Sequence, residues 1–317
     1  MKESISYTTE EIAHILKVSK LTVYDLIKKG DLPSYRVGRQ IRVDAHDLEA
    51  YKEQAKSGNP LNKGDTPNIS VEHPQPTTAT RQIIISGQDI SLDILANYIE
   101  KSATGYRPLR AYTGSLNSLI SMYQGDADVV STHLYDGVTA TYNLPYIRRI
   151  LVNHPYIVIH FLARQEGFYV PKGNPNRIQG WSDLARPDIQ MVNREKGSGV
   201  RVLIDENLRL AGIPPSTIKG YDMEESNHIG VATKVLSGQV DVGIGIEKAA
   251  RLVGVDFIPI IQESYDLVIR KTPENSVLIA TLQSILQSDA LRNELEAIGG
   301  YDLSHIGQVL DETSLHS

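Results

Sequence analysis

The sequence predicts an α/β chain in two parts: a small, mostly helical front unit and a larger region of parallel-rich sheets covered by helices. Three observations predict it. Apolar residues recur at helical spacing within Tyr7–Lys56. A stretch rich in Pro, Asn, Ser, Thr and Gly follows over 57–81. From Gln82 onward, short apolar runs alternate with amphipathic helices. The 317 residues are too many for one ordinary compact domain. Reading 57–81 as a loop inside one domain would demand about 25 structureless residues, which itself argues for a boundary. The expected organisation is therefore 1–56, a linker over 57–81, and 82–317.

In the front unit, Thr9 is the expected N-cap, with Glu10 and Glu11 in the first turn where the helix dipole favours them. Ile12, Ile15 and Leu16 follow at helical spacing. After the Val18-Ser19 turn, Ser19 caps a second helix carrying Leu21, Val23, Leu26 and Ile27, which ends at Lys29-Gly30. Tyr35–Val43 alternates as two short strands about Gly38, and Asp44 caps a last helix over about Ala45–Gln54.

In the larger region, strands are expected at Gln82–Ser86, Leu109–Tyr112, Ala127–Ser131, Gln190–Asn193, Val240–Ile244 and Leu267–Ile269. Tyr156–Leu162 and Gly167–Val170 read as extended. Helices are expected at Leu92–Lys101, Ser115–Gln124, Gly199–Ala211 and Asn227–Ser237, with a helical turn at Trp181–Leu184 and two closing helices. Such alternation indicates parallel pairing with helices on both faces.

Composition narrows the chemistry. With no cysteine, disulfides, thiolate zinc sites, iron–sulfur ligation and a Cys nucleophile are excluded. No apolar run approaches the roughly 18 residues of a membrane helix, and no signal-like segment opens the chain. A reducing cytoplasm and no membrane partner are expected. His133, His154, His160 and His228 lack the spacing of a zinc motif, so no metal is expected. No Ser-His-Asp, paired-carboxylate or phosphate-loop pattern emerges, and neither a catalytic residue nor a cofactor is expected.

The net charge of −6 is uneven. Residues 1–56 hold 10 Lys and Arg against 9 Asp and Glu, so the acid lies in the larger part. Two helices followed by a basic hairpin form the layout of a winged helix-turn-helix. Ser19, Lys20, Thr22, Tyr24 and Lys28 lie at the start of the second helix or off its apolar face. Arg36, Arg39 and Arg42 give the hairpin three guanidinium groups suited to phosphate or minor-groove contact. The run YTTEEIAHILKVSKLTVYDLIKKGDLPSYRVGRQIRVDAHDLEAYK resembles the excisionase-type branch of the MerR-like winged helix domains. The resemblance implies major-groove reading by the helix from Ser19, backbone contact by the wing, and a double-stranded DNA operator as partner.

Four loops of the larger region place Ser or Gly just before a helix: Ser86-Gly87, Gly114-Ser115, Gly197-Ser198-Gly199 and Ser226-Asn227. Orphan backbone N–H groups at a positive helix end suit an anion. Arg194 and Arg201 flank the third loop. The segments IIISGQDISLDILA, YTGSLNSLISMYQGDADVVSTHLYD, YNLPYIRR, VNREKGSGVRVLIDENL and SNHIGVATKVLSGQVDVGIGIEKAA resemble the bilobal periplasmic-binding-protein superfamily, in a form fused behind a helix-turn-helix. The resemblance implies two lobes, about 82–161 with 268–317 and about 162–267, crossed near Phe161–Arg164 and Tyr265–Val268.

Regulators of this build are similar to the periplasmic molybdate binders, which implies molybdate or tungstate as effector. Ser86 and Ser115, with Gly87 and Gly114, would serve from the first lobe; Gly197, Ser198, Gly199, Asn227 and His228 would serve from the second. Where those binders place a Tyr hydroxyl, this chain reads Gly245-Ile246, leaving Tyr221 and Thr132 as substitute donors or a larger pocket for an organic ligand. A homodimer is expected, because one small winged helix makes few base contacts. The alternatives are an enzyme on the bilobal fold and an architectural DNA protein with a structural tail.

Overall fold

The computed structural model describes residues 6–16, 18, 20–29, 32–37, 40–57, 80–102 and 105–313. The chain divides into two compact units, Met1–Gln75 and Pro76–Ser317. Most of the 57–81 linker, with Ser19 and Arg39, lies outside the described residues.

The front unit holds helices Thr9–Leu16, Lys20–Lys29 and Ala45–Ser57. The strands Tyr35–Val37 and Gln40–Asp44 pair antiparallel as the wing, and Ser6–Thr8 adds a third strand beside Gln40–Asp44. The first helix begins one residue earlier in its capping logic than the sequence suggests. Thr8, not Thr9, is the cap: its backbone N–H donates to Glu11 Oε2 at 2.8 Å and its Oγ1 accepts from the Glu11 N–H at 3.3 Å. A Thr and a Glu three residues apart form this reciprocal box, while Thr9 is buried. Ile12, Val23, Leu32, Val43 and Leu48 close the small core.

The larger unit is built on a seven-stranded sheet. Its order is Gly243–Ile246, Tyr156–Val170, Asp256–Arg270, Val129–Thr132, Arg81–Ser86 and Tyr106–Ala111, with Val309–Glu312 also pairing Tyr156–Val170. Where the sequence predicts two separate sheets, hydrogen bonding runs continuously through two antiparallel 15-residue strands, Tyr156–Val170 and Asp256–Arg270. The polar run Ala163-Arg164-Gln165-Glu166 interrupts the apolar pattern of the first, which is why the sequence divides it in two. Parallel pairing joins Arg81–Ser86 to both its neighbours, and Asn193–Arg194 to Glu224–Glu225.

The apolar clusters fall into two sets along these strands. Ile157, Ile159, Phe161 and Leu162 pack with Ile83, Leu95, Leu267 and Leu282. Phe168 and Val170 pack with Met191, Val200, Ile204 and Ile244. Between the sets, Arg164 lies opposite Glu263 and Leu162 opposite Tyr265. Directly opposed antiparallel residues share a face and side chains alternate along each strand. Arg164, Glu166, Glu263 and Tyr265 are therefore projected to the same side.

Candidate functional site

A cavity of about 340 Å³ opens onto that side. Gln88, Asp89 and Ile90 reach it from the loop after Arg81–Ser86, and His133 from the end of Val129–Thr132. Arg164 and Tyr265 form part of its wall. Asn227, His228 and Ile229 enter from the start of helix His228–Leu236, Lys248 and Leu252 from helix Glu247–Val253, and Tyr301 from a loop.

Charge on the wall is buried and paired. The Arg164 guanidinium donates to Asp89 and to Glu263 and stacks on the Tyr265 ring, 4.5 Å from its centroid. Asp89 also accepts from Tyr301 Oη at 2.7 Å and from the Ser91 N–H at 2.8 Å. Burial pushes the Asp89 carboxyl up, but Arg164 and the Ser91 donors outweigh it and hold it below its ordinary range. Glu263 is likewise raised by burial and pulled down further by Arg164 and His133, to about 2. His133 Nδ1 lies 2.8 Å from Glu263 Oε2. Burial and the neighbouring Glu263 carboxylate raise Glu166 well above the usual carboxyl range.

One cation on the wall makes no hydrogen bond among the described residues. Lys248 Nζ is buried, forms no hydrogen bond, and sits 4.9 Å from the centroid of the Tyr301 ring. Burial holds its ammonium below the usual lysine range. His228 is kept neutral by burial and by the charges of Arg194 and Arg164. Its Nδ1 accepts from the Ile246 N–H at 3.3 Å, so Nε2 carries the proton and is available as a donor. At the mouth, Ile90, Ile229 and Leu252 are exposed apolar side chains.

The sequence-expected binding residues divide into three groups. Asn227 and His228 line the cavity, and Asn227 caps its helix by accepting from the Gly230 N–H at 2.8 Å. Gly114, Ser115, Gly197, Ser198 and Gly199 come together, but against one another. The Leu116 N–H donates to the Gly197 carbonyl at 3.0 Å, and a β-carbon at Gly114 would lie 2.6 Å from that same oxygen. Ser115 Oγ accepts from the His133 N–H at 3.2 Å, and Ser198 Oγ accepts from the Arg201 N–H at 3.3 Å as its helix cap.

Ser86, Gly87 and Thr132 lie off the cavity. Ser86 Oγ is bonded to Thr113 Oγ1 at 2.6 Å and Ser118 Oγ at 2.9 Å. Gly87 packs on Ser131, and Thr132 donates to Asn143 Oδ1 at 3.2 Å. Tyr221, the other substitute donor, gives its proton to Asp205 at 2.5 Å. The small Gly245 has a steric reason: a β-carbon there would lie 2.4 Å from Tyr169 Oη and 2.5 Å from His228 Nδ1.

Arg194 and Arg201 do not line the cavity. Arg194, almost fully buried, donates to the Glu225 and Ser226 carbonyls and to Gln88 Oε1, the last at 2.9 Å. Arg201 bonds Asp205, Glu224 and the Arg194 carbonyl. The residues missed by sequence reasoning, Asp89, Arg164, Glu263, Lys248 and Tyr301, have wide spacing and no motif. Alternation of charge in Arg164-Gln165-Glu166 between two apolar runs was the one signal present.

In the front unit, Thr22 and Tyr24 are exposed on the second helix, to either side of the buried Val23. Lys20 pairs with Glu10, and Arg42 donates to Ser6 Oγ at 3.2 Å at the base of the wing. The backbone of Lys28 and Arg36 belongs to the second helix and the wing.

Fold and site together define a class: an α/β domain with a polar, charge-paired cavity beside two long crossing strands, carried on one chain with a winged helix-turn-helix. Residues 96–287 match the family model described as PBP superfamily domain, and residues 6–56 match that of a helix-turn-helix domain. The chain belongs to the PBP superfamily, with an excisionase-like helix-turn-helix domain at its front. It is 50% identical over 313 residues to the uncharacterized protein YvgK of Bacillus subtilis (strain 168), covering 99% of this chain and 100% of that one. Among solved structures it is similar to a phosphate transporter substrate-binding protein of Clostridium perfringens with bound phosphate, with a TM-score of 0.51 at 13% identity, covering 70% of this chain and 99% of that one. A peroxide-bound mutant of OxyR from Corynebacterium glutamicum gives a TM-score of 0.50 at 13% identity over 92% of this chain and 89% of that one. At these identities the structural likenesses establish the fold. Among the described residues no helix is long and apolar enough to cross a membrane.

Proposed function

We propose that the protein is a cytoplasmic, ligand-responsive transcriptional regulator. Its winged helix-turn-helix reads a double-stranded DNA operator, and its α/β unit closes two lobes over a small organic ligand carrying an anionic group. The protein acts by binding, with no reaction of its own. The single observation that carries the ligand class is the unpartnered Lys248 ammonium facing a cavity whose mouth is lined by Ile90, Ile229 and Leu252. A buried ammonium with no hydrogen-bonded acceptor is costly, and an anionic group entering the cavity would offset that cost. The neutral His228 Nε2–H and the N-terminus of helix His228–Leu236 add donors from the same side. The volume falls within the ~300–1,000 Å³ of small-molecule pockets and is about ten times a water's ~30 Å³ share. That leaves room for an apolar body that exposed Ile and Leu side chains would cover.

Molybdate or tungstate is the second reading, supported by Asn227 and His228, which bring the N-terminus of helix His228–Leu236 to the cavity. Against it, the hydroxyls of Ser86, Ser115 and Ser198 are engaged within the protein. Calorimetric titration of the full chain separates the two. The organic-ligand reading expects heat from small carboxylates or phosphate esters, and none from molybdate, tungstate, sulfate or inorganic phosphate. Stoichiometric binding of molybdate or tungstate alone would select the second reading.

A further inference from the structure

We propose that His133, Glu166 and Glu263 bind one divalent first-row transition-metal ion at the wall of the cavity. The three residues arrive from separate segments: the end of Val129–Thr132 and the two crossing strands. One ligand atom from each lies within 4.8 Å of the others. The Glu166 side chain is fully buried, and neither carboxylate oxygen has a hydrogen-bond partner. Its carboxyl faces that of Glu263, and two carboxyls brought together need a proton or a cation between them.

The spacing fits a cation. Ligand atoms about 2.0–2.2 Å from one ion, at angles near a right angle, stand roughly 3 Å apart. His133 Nδ1 and Glu263 Oε2 are 2.8 Å apart. Arg164 pairs with Asp89, and Arg194 lies 3.7 Å from Glu195. Arg164 also donates to Glu263 and fixes its orientation, the outer-shell role that metal-binding carboxylates require.

One imidazole with two carboxylates suits Zn²⁺, Mn²⁺, Fe²⁺, Co²⁺ or Ni²⁺ better than the all-oxygen sites of Mg²⁺ and Ca²⁺. Of the three, His133 lines the cavity, and the two glutamates lie buried behind it. Short-spacing motifs could not reveal this set, because its members lie far apart along the chain. The inference stands without the regulator reading, since it needs only the cluster.

The test is calorimetric titration of the full chain, stripped with a chelator and desalted, with Zn²⁺, Co²⁺ and Mg²⁺, followed by the visible absorption of the Co²⁺ form. Zn²⁺ and Co²⁺ should bind one to one and Mg²⁺ far more weakly. Glu166→Gln and His133→Ala should each weaken Zn²⁺ at least as much as the ~10–100-fold of an outer-shell loss, and should alter the Co²⁺ spectrum. Glu166→Gln removes a buried charge at constant shape and should fold; should it not, His133→Ala carries the test. Absence of stoichiometric binding to the wild type would overturn the proposal. So would variants that retain wild-type affinity and spectrum. If the wild type binds no ion but melts higher as Glu166→Gln, the two carboxyls share a proton and the proposal falls.

Discussion

Lys248 and Asp89 face one cavity with opposite histories. Lys248 is desolvated with no hydrogen-bonded acceptor, so Lys248→Met should raise the melting temperature of the ligand-free protein while weakening an anionic ligand about 10–100-fold, the ~1.5–3 kcal/mol of a charge-assisted hydrogen bond. Scanning calorimetry and titration on the same samples check both signs. Asp89 is the reverse case. Its folded value lies below the ordinary 3.8, so its contribution to stability is present above that pH and is lost as pH falls below it through the folded value. Asp89→Asn should flatten the acid limb of stability below about pH 4, measured by urea unfolding across pH. Arg164→Met would strand two buried carboxylates and should cost about 3–5 kcal/mol in the same assay at neutral pH. A variant as stable as the wild type would show that Arg164 does not hold this wall together.

At the scale of elements, the helices were the most legible part of the sequence. Ser115–Gln124, Gly199–Leu210 and His228–Leu236 stand within a residue or so of their expected bounds, because capping residues and apolar spacing agree there. Helices Leu144–Ile150 and Glu247–Val253 were not expected, being only 7 residues each. The two long strands were half legible: both ends of Tyr156–Val170 and the Leu267–Ile269 end of Asp256–Arg270 were expected, while the first end of the latter was not. Their middles supply Arg164 and Tyr265 to the cavity wall. The loop chemistry told where N–H groups gather, yet it could not show that Gly114-Ser115 and Gly197–Gly199 would pack on each other. That contact yields a prediction. Gly114→Ala places a β-carbon against the Gly197 backbone, which cannot move aside as a side chain could. It should pry the loops apart and weaken ligand about tenfold, within the ~1–3 kcal/mol of overpacking, with the far-UV spectrum unchanged. Unaltered affinity would mean that this contact does not belong to the binding-competent form.

For the whole molecule, a ligand can reset DNA binding only by as much as it prefers one conformation over another. The proposed closure turns about the crossing strands, where the two sets of apolar clusters meet at a polar segment and little core needs to be repacked. A homodimer on an inverted or direct repeat is the arrangement proposed for the regulator, since the front unit has a formal charge near +1 and few groove-facing side chains. Sedimentation should give a dimer, and mobility shifts on selected operators should change with ligand. The most direct test of the central claim is thermal melting of the full chain and of Lys248→Met against a panel of small carboxylates, phosphate esters, molybdate and tungstate. The account predicts that at least one organic anion raises the melting temperature of the wild type and does so far less for Lys248→Met. No stabilisation by any organic anion, or the same stabilisation in both proteins, would contradict it.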